Sequence, residues 1–122
     1  MKVLLSIKPE YASKIFDGTK RYEYRRAIFK RAEVTTVVVY ASDPIRKVIG
    51  EFDIEEIIHD EPKALWSKTG ERAGISMKKF LDYFENRGKG YAISVKTTRT
   101  YDVPISLEKL MISCPPQSFM YL

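Results

Sequence analysis

Histidine and cysteine are almost missing from this chain of 122 residues, which carries one of each, His59 and Cys114. A single cysteine excludes an intramolecular disulfide and a thiolate cluster for zinc or iron–sulfur, and it fits a reducing, cytoplasmic setting. With one histidine, a metal centre needs Asp and Glu ligands, and no spacing of these resembles one, so neither metal nor cofactor is expected. Long apolar runs are absent too. Val3–Leu5 plus Ile7 fall short of the roughly 7–15-residue core of a signal peptide, and no segment approaches the roughly 20 residues of a membrane helix. There is no repeat, low-complexity tract or dividing linker. The expectation is one cytosolic domain over residues 1–122, away from membranes.

What is present is positive charge, and it is unevenly placed. Residues 1–50 hold 11 Lys and Arg against 5 Asp and Glu, a charge of +6, whereas residues 51–122 hold 10 against 11, a charge of −1. A basic half draws in a polyanion, RNA or DNA. The competing reading is that the charge serves only solubility.

Val3–Ile7 reads as a short strand. Pro9 suits the first turn of a helix, Ala12, Ile15 and Phe16 share one of its faces, and Gly18 is placed to end it. Gly18–Arg26, GTKRYEYRR, follows as a strand. Val34–Tyr40, β-branched and nearly all apolar, predicts a central strand covered on both sides. Ala41–Pro44 turns the chain. Lys47–Ile58 is a long strand whose alternation slips near Gly50, the mark of a bulge. A short helix follows at Pro62–Ser67, then a second one capped by Ser76 with Met77, Phe80, Leu81 and Phe84 as its apolar stripe. Tyr91–Thr98 and Tyr101–Ile105 are two further strands, the latter an edge because of Pro104. Ser106 caps a last turn before a tail of prolines and aromatics, which is expected to pack along the surface rather than form a regular element. Helices inserted singly among strands point to an α+β fold around a small, mostly antiparallel β-barrel.

In GTKRYEYRR a period of two sends Tyr22 and Tyr24 to one side and Arg21, Glu23 and Arg25 to the other. The tyrosines are explained as core. A carboxylate between two guanidiniums fixes their forks, which can then grip phosphate bidentately. It can also accept a hydrogen bond from the amino group of a base. Lys20, at the strand's entrance, adds a point charge for a phosphate. The competing reading is a row of exposed ion pairs worth about 0.2–1 kcal/mol each.

The order of these segments resembles the ASCH domain family, of the PUA-like β-barrel superfold. The resemblance runs through Ser6–Arg26 with its Gly-x-Lys-x-x-Glu-x-Arg spacing, Val37–Ser42 (VVVYAS), Val48–Ile54 (VIGEFDI), Gly74–Phe84 (GISMKKFLDYF) and Tyr91–Val95 (YAISV). It implies a cleft beside the first helix that takes RNA or a nucleotide-like ligand and is lined by Lys20, Glu23 and Arg25, with Arg21 and Arg26 in the surrounding field. One branch of the family resembles an amidohydrolase of acetylated cytidine that uses Lys, Thr and Glu. Lys20 matches the lysine, Glu23 stands where the threonine belongs, and the glutamate falls at Glu71.

Two residues where the central strand ends and the turn begins extend the candidate site. Tyr40 either stacks a base, worth about 1–3 kcal/mol, or is a core tyrosine. Ser42 is either a turn residue or a ligand contact. The leading expectation is an RNA- or nucleotide-binding module. Its rival is a hydrolase of RNA or of a modified nucleoside, of ribonuclease or amidohydrolase type, with Lys20, Glu23 and Glu71 as candidate catalytic residues. A lysine base needs a lowered pKa, and a neighbouring carboxylate acts in the opposite sense. A third reading, a regulatory docking domain, rests on Phe119 and Tyr121 being exposed. Residues 67–74 are expected to form a flap over the cleft, and His59 to lie on the surface.

Overall fold

Pro9 opens helix α1 (Pro9–Asp17), and Gly18 closes it at φ 89°, a left-handed conformation that only glycine takes without strain. The amide of Gly18 donates to the Ile15 carbonyl there. The computed structural model describes residues 1–122, with α1 between strands β1 (Lys2–Ile7) and β2 (Tyr22–Arg25). There follow β3 (Thr36–Ala41), β4 (Lys47–Asp60), helices α2 (Pro62–Thr69) and α3 (Met77–Tyr83), β5 (Gly90–Ile105) and β6 (Met120–Tyr121). Two 3-10 turns lie at Gly70–Arg72 and Glu108–Leu110.

The strands form one sheet in the order β2-β5-β4-β3-β1-β6. Every pairing is antiparallel except β1 with β3, which run parallel with Val3 opposite Val37 and Leu5 opposite Val39. The two end strands, β2 and β6, do not pair, so the sheet is a curled half-barrel within a mixed α+β fold. Its curl comes from the long pair β4 and β5, whose register shifts at Val48/Gly50, Asp53/Ile54 and Ile54/Ile57. The expected irregularity at Gly50 is there. A Cβ on that residue would stand 2.5 Å from the Arg99 carbonyl oxygen and 2.8 Å from the Phe16 ring, so the strand bends where only hydrogen fits.

Three apolar clusters follow from this layout. Alternate residues of β1 and β3 (Val3, Leu5, Val37, Val39) meet Ala12 and Ile15 of α1 and Phe52 on the inner face. Helices α2 and α3 cover the end at β2 with Leu65, Phe80 and Phe84 around Tyr24. On the outer face Leu4, Val38, Tyr40 and Val48 lie under Tyr101, Ile105 and Ile112, so β3 is buried on both sides as its composition predicts.

Other expectations need correction. Residues 90–105 form one strand, not two; beyond the pairing with β2 its far side is an open edge, which is where Pro104 sits. The stripe on α3 is half right. Phe80 and Phe84 are buried, but Met77 and Leu81 are 53% and 41% exposed, because a helix of seven residues meets the sheet over one turn only. The tail packs along the surface as expected, though with a short strand, β6, and this removes the docking reading. Tyr121 pairs with Val3, its hydroxyl accepts from the amides of Lys30 (2.9 Å) and Arg31 (3.3 Å), and Phe119 packs edge-on to Phe29. His59, by contrast, is exposed as expected, stacked on Tyr91 at 4.2 Å.

Tyr24 shows how the second cluster is held. The Thr69 hydroxyl donates to the Leu65 carbonyl at 2.7 Å, so the Tyr24 hydroxyl, 2.7 Å from the Thr69 oxygen, is the donor of that bond. Burial pushes the phenol up to about 12. Tyr24→Phe is expected to cost about 1 kcal/mol in urea denaturation with an unchanged m-value. An unmoved midpoint would mean that the bond contributes nothing.

Candidate functional site

A cleft of about 810 Å³ opens between α1, α3, the inner side of β2 and the tail. Its floor is Lys20, Glu23, Tyr24 and Arg25; Lys8, Glu10, Arg26, Lys79, Asp82 and Tyr83 line it from the neighbouring elements. Five cations against three carboxylates leave this lining positive.

Lys20 is only 1% exposed and is the largest of the fully buried side chains. Its ammonium donates to the Ala73 carbonyl at 2.6 Å and sits over the rings of Tyr11 (5.2 Å) and Tyr24 (4.9 Å). Gly74, at φ 66°, lies flat on the lysine stem, where a Cβ would come within 2.4 Å of the Lys20 Cβ. Burial pushes the amine from its ordinary 10.5 down to about 8; the charge of Glu23 opposes this and that of Lys14 adds to it. The conflict foreseen between a lysine base and its neighbouring carboxylate is therefore decided by desolvation.

Glu23 is 6% exposed and pairs with Arg25 at 3.2 Å. The same guanidinium donates to the carbonyls of Ser6 (3.3 Å) and Ser118 (2.8 Å). Arg25 therefore ties β2 to β1 and to the tail, across the seam where the half-barrel stays open. Its fork is taken up by three acceptors, so it positions Glu23 and closes the floor.

The remaining candidates lie elsewhere. Arg21 does not flank Glu23, because its guanidinium donates to the Val95 carbonyl at 2.6 Å. Tyr40 is 3% exposed in the outer apolar cluster, on the face of β3 away from the cleft, so it stacks no ligand there. Ser42 is a turn residue whose amide donates to the Ile7 carbonyl at 3.0 Å. Glu71 is exposed on the 3-10 turn and does not line the cleft. Residues 67–74 do not lie over the cleft as a flap: they finish α2, form the 3-10 turn at Gly70–Arg72 and pass behind Lys20, with Ala73 buried and bonded to it. Sequence reasoning missed Tyr11, Tyr83, Gln117 and Ser118. Tyr11 was within reach, since it lies four residues before buried Ile15 on α1; the tail residues carry no local signal. No three His, Cys, Asp or Glu side chains are grouped to hold a metal ion, and no helix is long and apolar enough to cross a membrane.

Comparison with known proteins supplies relatives for this geometry. The chain is 34% identical over 125 residues to an ASCH domain-containing ribonuclease of Zymomonas mobilis, covering 99% of this chain and 84% of that one. It is 29% identical to the large ribosomal subunit protein uL22 of Ureaplasma parvum, covering 98% of this chain but only 39% of that protein. The crystal structure of ASCH from Zymomonas mobilis superposes with a TM-score of 0.91 at 33% identity, over 99% of this chain and 87% of that one. The N-terminal domain of Staphylothermus marinus McrB shares the fold alone, with a TM-score of 0.55 at 13% identity over 92% of this chain and 81% of that one. The ASCH domain model matches residues 5–109, and the chain belongs to the ASCH domain family.

Proposed function

We propose that the chain is a cytoplasmic RNA-binding protein whose cleft takes a single strand, with Lys20 contacting phosphate or ribose and Glu23 accepting from a base. The observation that carries this is the buried Lys20–Glu23 floor inside a lining with an excess of cations. A charge kept 1% exposed is costly to the fold, and a polyanion is the ligand that offsets that cost. The ribonuclease name of the 34%-identical relative supports RNA over DNA. Arg25 serves by positioning Glu23.

A short mixed-sequence single-stranded RNA titrated across salt tests the proposal. Log affinity is expected to fall linearly with log salt, by about 0.7 per phosphate contact. Lys20→Ala/Glu23→Gln is expected to lose most of the binding. Absence of binding to RNA, DNA and nucleosides at low salt overturns the proposal.

A second reading, cleavage of the bound strand, is favoured by the amine of Lys20, lowered to about 8. A neutral amine can take the proton of a ribose 2′-hydroxyl, so that the 2′-oxygen attacks phosphorus and the 5′-oxygen leaves, taking up a proton. This reading expects strand scission that rises with pH through about 8 and disappears in Lys20→Arg. Intact RNA by mass spectrometry after incubation at high protein concentration contradicts it.

A further inference from the structure

Arg26 differs from every other arginine near the cleft. Arg21 donates to the Val95 carbonyl, and Arg25 is held by Ser6, Ser118 and Glu23. Arg26, the first residue after β2, engages no carboxylate and no carbonyl. Its guanidinium carbon lies 4.3 Å from the centroid of the Tyr83 ring, and both side chains line the cleft. Tyr83 is itself fixed: its ring meets Phe84 edge-on at 4.9 Å, and Phe84, 2% exposed, packs on Phe80.

This is a plate with one side free. A guanidinium carbon 4.3 Å above a ring centroid covers one face of the phenol, and its own solvent side can take a further flat group. Arg26 is exposed, which keeps that face accessible. A base stacked there lies parallel to the guanidinium and out of reach of its in-plane donors, so selection among the bases falls to the neighbouring side chains. Asp82, also in the lining and paired there only with the exposed Lys78 at 3.1 Å, offers its carboxylate oxygens to the adjacent N1–H and N2–H donors that guanine alone of the bases presents side by side. Adenine has an acceptor, N1, where guanine has N1–H. Lys79, one turn before Tyr83 on the same side of α3, is available to the adjoining phosphate; its nearest carboxylate, Glu10, is 4.0 Å away.

We infer that Arg26 and Tyr83 form a second base subsite at the α3 side of the cleft, which stacks a purine, and that Asp82 beside them selects guanine. The inference rests on the RNA reading and sharpens it. The ligand is a strand of at least two nucleotides, one at the Lys20–Glu23 floor and one on the plate, and a free nucleoside fills only half the site.

Fluorescence anisotropy at fixed low salt tests this with four labelled oligouridine strands, each carrying one central guanine, adenine, cytosine or no substitution. Wild type is expected to bind the guanine strand about tenfold more tightly than all-uridine, the scale of one stacked base. Arg26→Lys keeps the charge, and Tyr83→Leu keeps an apolar side chain. Each is expected to reduce the ratio of guanine-strand to all-uridine affinity to within about twofold. Circular dichroism confirms that the variants are folded. Equal binding of all four strands by wild type, or a guanine preference that survives both variants, overturns the subsite and leaves the RNA reading standing. No binding of any strand by wild type removes both.

Discussion

Lys20→Met is expected to stabilise the protein by about 2 kcal/mol at pH 7 while removing most of its RNA binding. The reason lies in where the amine is held. A folded-state value of about 8 against an ordinary 10.5 means that the native state resists the proton that the unfolded chain accepts. The resulting penalty is present in full below pH 8, shrinks between pH 8 and 10.5, and is gone above. The gap between the two values corresponds to about 3 kcal/mol, and losing the bond to the Ala73 carbonyl returns about 1 of it. Wild type should therefore gain stability, relative to Lys20→Met, as pH rises through that window. Taking the difference between the two proteins cancels the tyrosines that titrate nearby. If the strand is also cleaved, the variant is expected to lose about 10²–10⁴ in rate, the usual share of a general base. A less stable Lys20→Met protein would mean that the ammonium is held at no cost and that this part of the account is wrong.

Gly74→Ala should act on the same lysine from behind. Two effects combine at this position. Its φ of 66° is left-handed, and a methyl group would stand 2.4 Å from the Lys20 Cβ. A non-glycine residue in that conformation costs about 1 kcal/mol or more, and forcing a methyl into a filled site adds about 1–3 kcal/mol. The expected loss is about 2–4 kcal/mol, with Lys20 displaced from the floor and RNA binding reduced along with it. Gly18→Ala is the control. Its φ of 89° is equally left-handed, but no atom lies within 4 Å of the added methyl. Gly18→Ala should show only the conformational cost and bind RNA normally. Equal losses in the two variants would show that packing on Lys20 contributes nothing.

The elements were legible where local chemistry decides them. Pro9 and Gly18 bound α1, the β-branched run of β3 announced burial on both faces, and the slip at Gly50 is a bend. Lys20, Glu23 and Arg25 do meet in one cleft beside the first helix. Their roles were not legible. Lys20 reads as an exposed point charge, yet Ala73 and Gly74, more than fifty residues away, enclose it and lower its pKa. Alternation in GTKRYEYRR implied two guanidiniums on Glu23, but β2 begins at Tyr22, and Arg21 lies before it, turned to Val95. The burial that identified β3 also covers Tyr40, so the feature that marked the strand argued against its tyrosine as a contact. Ser118 becomes part of the cleft only through the pairing of β6 with β1, which no nearby residue signals.

The central claim is that a single strand of RNA occupies the cleft floored by Lys20 and Glu23. Backbone and side-chain NMR shifts, followed while a short single-stranded RNA is titrated in, test it residue by residue. The account predicts shifts at Tyr11, Lys20, Glu23, Arg26 and Tyr83, with the outer face, where Arg99 pairs with Glu51 and Asp53 at 2.8 Å opposite Val38 and Thr36, undisturbed. Shifts confined to that outer face, or none at saturating RNA, would contradict it.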